Sequence, residues 1–239
     1  EKMSFNLARI AAVVLTFTAT TQTAQAGKVE PSLKKGTTVH APVNVGLVPY
    51  VDVNSHINNP RNNVSIDGIV GLTTAVDGVA IAGVGGIVKE EVKGVQLSGV
   101  AALTLERVDG VQVSGILSYT NQLRGLQIGL INIAGKVTGA QIGLINIAEE
   151  VEGAPLGLLN LVLKDGTHSI DLYTTDTAAV NIGTRLGSKY FYTILTIGLQ
   201  PIDIETTWMP GVGLGGHIPI RDRWSADVAA LLYNVRTDK

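Results

Sequence analysis

Residues 125–161 read Gly125-Leu-Gln-Ile-Gly-Leu-Ile-Asn-Ile-Ala134, then, from 139, Gly139-Ala-Gln-Ile-Gly-Leu-Ile-Asn-Ile-Ala148, then, from 153, Gly153-Ala-Pro-Leu-Gly-Leu-Leu-Asn-Leu161. Three near-copies in succession mean a repeat architecture, because a unit this short cannot bury its apolar side alone and must stack on the next. Upstream the same frame recurs as an apolar residue, a variable one and glycine. The copies are Val76-Asp77-Gly78, Val92-Lys93-Gly94, Val108-Asp109-Gly110 and Leu123-Arg124-Gly125, followed by Val137-Thr138-Gly139 and Val151-Glu152-Gly153. Successive glycine numbers differ by 16, 16, 15, 14 and 14, so the unit tightens toward its C-terminal end. Asp77, Lys93, Asp109, Arg124 and Glu152 stand just before glycine and mark a solvent-facing corner, where glycine reaches a backbone conformation that strains other residues.

Within a unit Leu126, Ile128 and Leu130 alternate as a strand does, but Leu130-Ile131 sets two large apolar residues side by side. A bend there restores the period of two. A coil of roughly 15 residues, with short strands between corners, is a β-solenoid rung. In such a stack Asn132, Asn146 and Asn160 form one amide ladder and Gln96, Gln112, Gln127 and Gln141 a second, while the leucines and isoleucines of the units shelter one another. The rival architecture makes each unit one membrane-spanning strand of about ten residues plus a turn, and the chain a continuous up-and-down outer-membrane β-barrel. Against it, neither face of residues 126–134 is clean, and every turn looks alike where barrel turns alternate between two sides of a membrane.

Glu1-Lys2 precede Met3, which reads as the natural start. Lys2 and Arg9 supply a positive n-region, residues 10–17 an apolar core too short to span a bilayer, and Ala24-Gln25-Ala26 a small-x-small cleavage site. Residues 1–26 therefore read as an export signal, with the mature chain starting at Gly27. The threonine-rich stretch 16–23 ends the apolar run and argues against an anchor helix. Absence of cysteine excludes disulfides, thiolate metal sites, cysteine nucleophiles and a lipidated N-terminal cysteine. The net charge of -2 and the lack of a basic cluster beyond Lys34-Lys35 argue against nucleic acid. Mean hydropathy of +0.29 with only 16% charged residues is unusually apolar for a freely soluble domain. After the signal no apolar run reaches about 18 residues, so insertion into a membrane has to use strands. The expected location is the outer membrane or cell surface, with the periplasm as the alternative.

Residues 27–63 read as a loose leader followed by an edge strand at 43–53, where Pro49 is tolerated. Residues 54–63, dense in Asn, Pro and Ser, read as a loop, and Asn63-Val64-Ser65 as an ordinary turn rather than a glycosylation site. Residues 64–75 lead into the repeats as a cap or first rung, and the repeat region runs over 64–163. Residues 164–239 read as an antiparallel meander. Asp165-Gly166 is a two-residue hairpin signal between 158–163 and 169–173. Gly187-Ser188-Lys189 turns 179–186 into 190–199, and Arg221-Asp222-Arg223 turns 212–220 into 224–235. Val212, Leu214, Ile218 and Ile220 make one apolar face while Gly211, Gly213, Gly215 and His217 keep the other small or polar, the pattern of an outer-membrane barrel strand. Tyr190, Phe191, Tyr192, Trp208, Trp224 and Tyr233 fit interfacial girdles. A soluble sandwich or a half-barrel packed on the solenoid fits the same texture.

Chemistry-bearing patterns are weak. Gly211-Val-Gly-Leu-Gly-Gly216 matches G-x-G-x-x-G, but strand alternation continues through Ile220 where a dinucleotide site opens a helix. His40, His56, His168 and His217 show no ligand spacing. Ser169, His168 and Asp171 cannot form a triad, since neighbours on a strand point to opposite faces. Glu90-Glu91 and Glu149-Glu150 read as solvated corner pairs, and the rungs offer no carboxylate groove for a polysaccharide. No catalytic, cofactor-binding or metal residue is assigned, and no cofactor.

With these repeat units in place, followed by Pro155-Leu-Gly-Leu-Leu-Asn-Leu161 and the aromatic segment 183–198, the chain resembles a bacterial surface-repeat-containing protein family over about residues 43–235. The resemblance implies an exported envelope protein with variable repeat number and no established activity, so no site residue is carried over. Family members run further with more strands, which points to truncation here. The expectation is an all-β chain, a short-coil β-solenoid followed by an antiparallel meander, acting as a non-enzymatic structural or adhesive protein. Its partner is the outer membrane or another envelope component, with no nucleic acid or nucleotide. The alternatives are an outer-membrane β-barrel pore and a secreted carbohydrate-active solenoid.

Overall fold

The computed structural model divides the chain into residues Glu1–Thr37 and Thr38–Lys239. It describes residues 39–49, 51–52, 60–176, 178–202, 205–221 and 224–234. The export signal, the leader up to residue 38 and His56 lie outside the described residues. Strand follows strand, and no helix occurs among the described residues. The first group is β1 (Val39–Val48), β2 (Val51–Asp52), β3 (Pro60–Asp67), β4 (Val70–Thr73), β5 (Ala75–Ala82), β6 (Gly85–Val88), β7 (Glu91–Ser98), β8 (Ala101–Ser114), β9 (Leu117–Ile128), β10 (Ile131–Ile142), β11 (Ile145–Leu156) and β12 (Leu159–Val162). The second is β13 (Thr167–Tyr173), β14 (Val180–Gly187), β15 (Phe191–Ile202), β16 (Glu205–Arg221) and β17 (Trp224–Tyr233).

From β1 and β3 through to β12 every neighbour is parallel, which makes a β-solenoid of about seven turns; β13 to β17 form an antiparallel sheet in sequence order. Parallel pairing rules out the up-and-down barrel for the repeats, since hairpin-linked staves run antiparallel. Equivalent residues stack: Asn132 on Asn146, Val137 on Val151 and Gly139 on Gly153. The coil shortens only at its corners. Its register against the preceding coil drops from 16 to 15 between Thr104 and Arg107, and from 15 to 14 between Ile128 and Ile131.

Two glycine columns mark two places on each coil. Gly78, Gly94, Gly110, Gly125, Gly139 and Gly153 all have positive φ, from 121 to 152°. At Gly139 an added Cβ would stand 2.1 Å from the carbonyl oxygen of Gly125 in the coil before it, so the site demands glycine for space as well as for φ. A second column, Gly83, Gly99 and Gly115, then Gly143 and Gly157, repeats the same close approach without the unusual φ.

The interior overturns the expectation that leucines and isoleucines shelter one another. Val76, Val92, Val108, Leu123 and Val137 form a buried apolar column, but beside it run Gln96, Gln112, Gln127 and Gln141, and, on another side, Asn132, Asn146 and Asn160. Gln141 Nε2 donates to Gln127 Oε1 at 2.8 Å, Gln127 to Gln112 at 2.8 Å and Gln112 to Gln96 at 2.9 Å. The asparagines donate the opposite way: Asn132 Nδ2 to Asn146 Oδ1 at 2.8 Å and Asn146 to Asn160 at 2.7 Å. Amides occupy the inside because identical neighbours a coil away satisfy them, while alternation turns Leu126 and Ile128 outward. The Asn also explains the Gly-φ-φ-Asn spacing, since Asn132 and Asn160 return a hydrogen bond to the corner carbonyls of Gly129 and Gly157.

Three local readings are corrected. Residues 60–63, expected in a loop, belong to β3, and Asn63-Val64-Ser65 is strand rather than turn, held by the parallel pairing of Val64 with Val43 and Val79. Pro49 falls in a turn after β1, and the edge is the two-residue β2. Asp165-Gly166 does not join a hairpin: β12 pairs with β11 and β13 with β14, so Asp165, with φ of 55°, turns the chain out of the solenoid into the second sheet. That sheet caps the last coil. Thr193 Oγ1 accepts from Asn160 Nδ2 at 2.6 Å and donates to the carbonyl of Gly157 at 2.6 Å, while Ser188 Oγ donates to the carbonyl of Gly153 at 3.0 Å.

Gly139→Ala is expected to destabilise the chain by about 3 kcal/mol or more through strain and forced coil separation. Gly216→Ala, whose Cβ would meet nothing nearer than Tyr190 O at 3.7 Å, should stay within about 1 kcal/mol of the parent in thermal unfolding followed by circular dichroism. Asn146→Ala leaves the buried Oδ1 of Asn160 without its donor and breaks the ladder to Asn132, for a loss of about 2 kcal/mol in the same measurement.

Candidate functional surface

Going round one coil, polarity is divided by side. Segments 79–88, 95–104, 111–120, 126–134, 140–148 and 154–163 contain no residue charged at neutral pH. The thirteen charged residues between Asp77 and Glu152 all fall in the intervening stretches. These segments supply two adjacent sides of the coil and the second corner between them. On the outside they carry aliphatic pairs such as Val95 and Leu97, Leu126 and Ile128, and Ile145 and Ile147. At the corner stands a ridge: Leu47, Ile69, Val84, Val100, Ile116, Leu130, Leu144 and Leu158, each 40 to 56% exposed. Isolated exposed aliphatics are ordinary on a protein surface, whereas a row repeated in every coil and flanked by further aliphatics is not.

The backbone under the ridge is hydrogen-bonded along the stack. Val84 N and Gly85 N both donate to Ile69 O, Val100 N to Val84 O, Ile116 N to Val100 O, and Leu144 N to Leu130 O, all within 2.8 to 3.0 Å. None of these amides needs water.

The third side is ionic. Arg61 bridges Asp77 at 2.8 Å and Glu91 at 2.7 Å, and Glu91 also takes Arg107 at 2.6 Å and Lys93 at 3.2 Å. Further along, Lys136 meets Glu152 at 2.8 Å and Lys164 meets Glu149 at 3.0 Å. The paired glutamates 90–91 and 149–150 are therefore not both simply solvated, since Glu91 and Glu149 are tied across coils. Partial burial works to raise the Glu91 pKa, but hydrogen bonds from Arg107, Arg61 and Lys93 outweigh it and hold the carboxyl at about 2.

The antiparallel sheet repeats the division in planar form. One face carries Ile170, Leu172, Ile182, Ile197, Trp208, Ile218 and Leu232, with Ile170, Leu172 and Leu232 84, 75 and 77% exposed. On the other face Arg185 grips Asp171 with two hydrogen bonds of 2.6 and 2.7 Å, its guanidinium 5.5 Å from the centre of the Tyr192 ring. Tyr192 Oη donates to Asp227, which also meets His217 Nδ1 at 3.0 Å. Tyr192 and Tyr233, expected in interfacial girdles, lie on this polar face instead, over Gly215 and Gly211, which leave room for the rings. Tyr190 and Trp208 are the exposed aromatics among the described side chains.

Of the residues singled out by sequence, His40 and His168 are exposed, and His168 points away from Ser169 and Asp171, which contact each other at 3.2 Å. Residues 211–216 are mid-strand in β16, not a strand-to-helix turn. Among the described residues no group of three His, Asp or Glu is placed to hold a metal, and no helix is long and apolar enough to cross a membrane. Sequence reading missed the ridge, although the signal was present: Leu130-Ile131 and its equivalents put the extra apolar residue at the bend in each unit. It also missed Thr193 and Ser188, for which no local pattern exists.

Because the Glu91 pKa is depressed in the folded state, its ion pairs stabilise fully above the ordinary carboxylate value of 4.5 and are lost as pH falls toward about 2. Unfolding measured across that window should lose stability more steeply for the parent than for Glu91→Gln. No family model, no curated protein and no solved structure matches the chain.

Proposed function

We propose that this is a non-enzymatic exported envelope protein, held at a membrane through the apolar face of its C-terminal sheet and presenting a stacked β repeat in a structural or adhesive role. The observation that carries this reading is the two-faced sheet. A face bearing Ile170, Leu172, Trp208, Ile218 and Leu232 in the open has no counterpart cost in lipid, while ion pairs and tyrosines occupy the opposite face. The export-type N-terminal stretch and the resemblance of the repeat units to a bacterial surface-repeat family support the envelope location. The charged side chains on the polar face are engaged with one another, which favours a structural role over general acid and base work.

The test is membrane retention of the full chain. It is expected to stay with membranes through high salt and alkaline carbonate and to require detergent for release; recovery in the buffer-soluble fraction would overturn the reading. Ile170→Lys with Leu172→Lys changes two exposed positions on β13, so the fold should persist by circular dichroism while retention falls by about tenfold or more.

A further inference from the structure

The sheet is not the only part of the molecule with an apolar face in the open; the solenoid has one as well. Two adjacent sides of the coil and the ridge between them carry no charged residue from residue 79 to 163, other than those returned to the third side. The eight ridge residues from Leu47 to Leu158 follow one another coil by coil, so at about 4.8 Å per step the ridge is roughly 34 Å long.

Three observations select the occupant. The backbone at the ridge is already hydrogen-bonded to the preceding coil, so its burial in a medium without hydrogen-bonding capacity strands none of those amides. Charge is confined to the side bearing Arg61, Glu91, Arg107, Lys136 and Glu152, which can stay in water while the opposite corner leaves it. The apolar region is convex, two sides meeting at a corner. A second copy can cover one side with a flat contact, whereas acyl chains conform to both sides and the corner together.

We propose that the solenoid is itself a lipid-contacting element, its ridge and flanking sides set among the acyl chains of a lipid layer and its ionic side facing water. The inference rests on the membrane reading above but adds a second, independent contact. The protein then lies along the membrane surface rather than standing away from it on the sheet.

The experiment uses the full chain with phosphatidylcholine and phosphatidylglycerol vesicles, with and without bromine on the acyl chains. In a Trp208→Phe, Trp224→Phe background, single tryptophans are placed on the ridge as Leu144→Trp or Ile116→Trp, and on the ionic side as Gln122→Trp, all at exposed or half-exposed positions. Two ridge positions guard against one variant failing to fold. Ridge tryptophans are expected to shift to the blue and to lose at least half their emission to brominated chains, with Gln122→Trp unaffected. If ridge probes remain unquenched while Trp208, kept as the single tryptophan of a Trp224→Phe chain, is quenched, the sheet anchors the chain and the solenoid proposal fails alone. If neither is quenched, both readings fail. Sedimentation showing a dimer in which the ridge probes are blue-shifted without lipid assigns the ridge to a second copy and overturns the proposal.

Discussion

Everything in the solenoid depends on one spacing, the separation of parallel coils fixed by their backbone hydrogen bonds at about 4.8 Å. At that distance a glycine column is not a preference but a requirement, since the Cβ of any other residue at Gly139 or Gly153 would lie inside the carbonyl of the coil before. The same spacing matches the reach of a primary amide, whose nitrogen meets the equivalent oxygen one coil along at 2.7 to 2.9 Å. Corner and ladder are two results of one repeat distance.

The inside of the coil can therefore be polar. Beside the valine column, the interior Gln and Asn side chains pair with their equivalents one coil away, which leaves the larger aliphatics of those sides for the outside. The ordinary link between apolarity and burial is reversed on two sides of the coil, and the ionic side keeps the charges together across coils. Running in opposite senses, the Gln and Asn ladders oppose one another's side-chain dipoles along the stack. Each ladder ends at a defined place: Pro155 occupies the position that would donate to Gln141 Oε1, and Thr193 receives Asn160.

The repeat, the corner glycines and both ladders were legible in the sequence because each needs the same residue at the same phase in successive units, and periodicity preserves phase. Which phase points inward was not legible. Gln127 and Leu126 are equally regular, and hydrophobicity alone assigns the wrong one to the core. Asp165-Gly166 misled for a related reason: the dipeptide encodes a reversal of direction, while the partner of each flanking strand is chosen by neighbours far away, β11 for one and β14 for the other. The two-faced β16 was readable from Val212 to Ile220, where Val212, Leu214, Ile218 and Ile220 share one face while Gly213, Gly215 and His217 keep the other small or polar. Tyr192 and Tyr233 were not, because their place over Gly215 and Gly211 depends on cross-strand register.

Units this alike carry an ambiguity of their own. Residues 125–134 and 139–148 differ only at Leu126 and Ala140, so a coil displaced by one whole turn would find nearly the same contacts. What breaks the degeneracy is the far end, where Thr193 and Ser188 recognise Asn160, Gly157 and Gly153 in the last coil and no other. The second sheet thereby acts as a datum from which turns are counted, and duplication or loss of a middle unit would change the length of the stack while leaving its terminus intact.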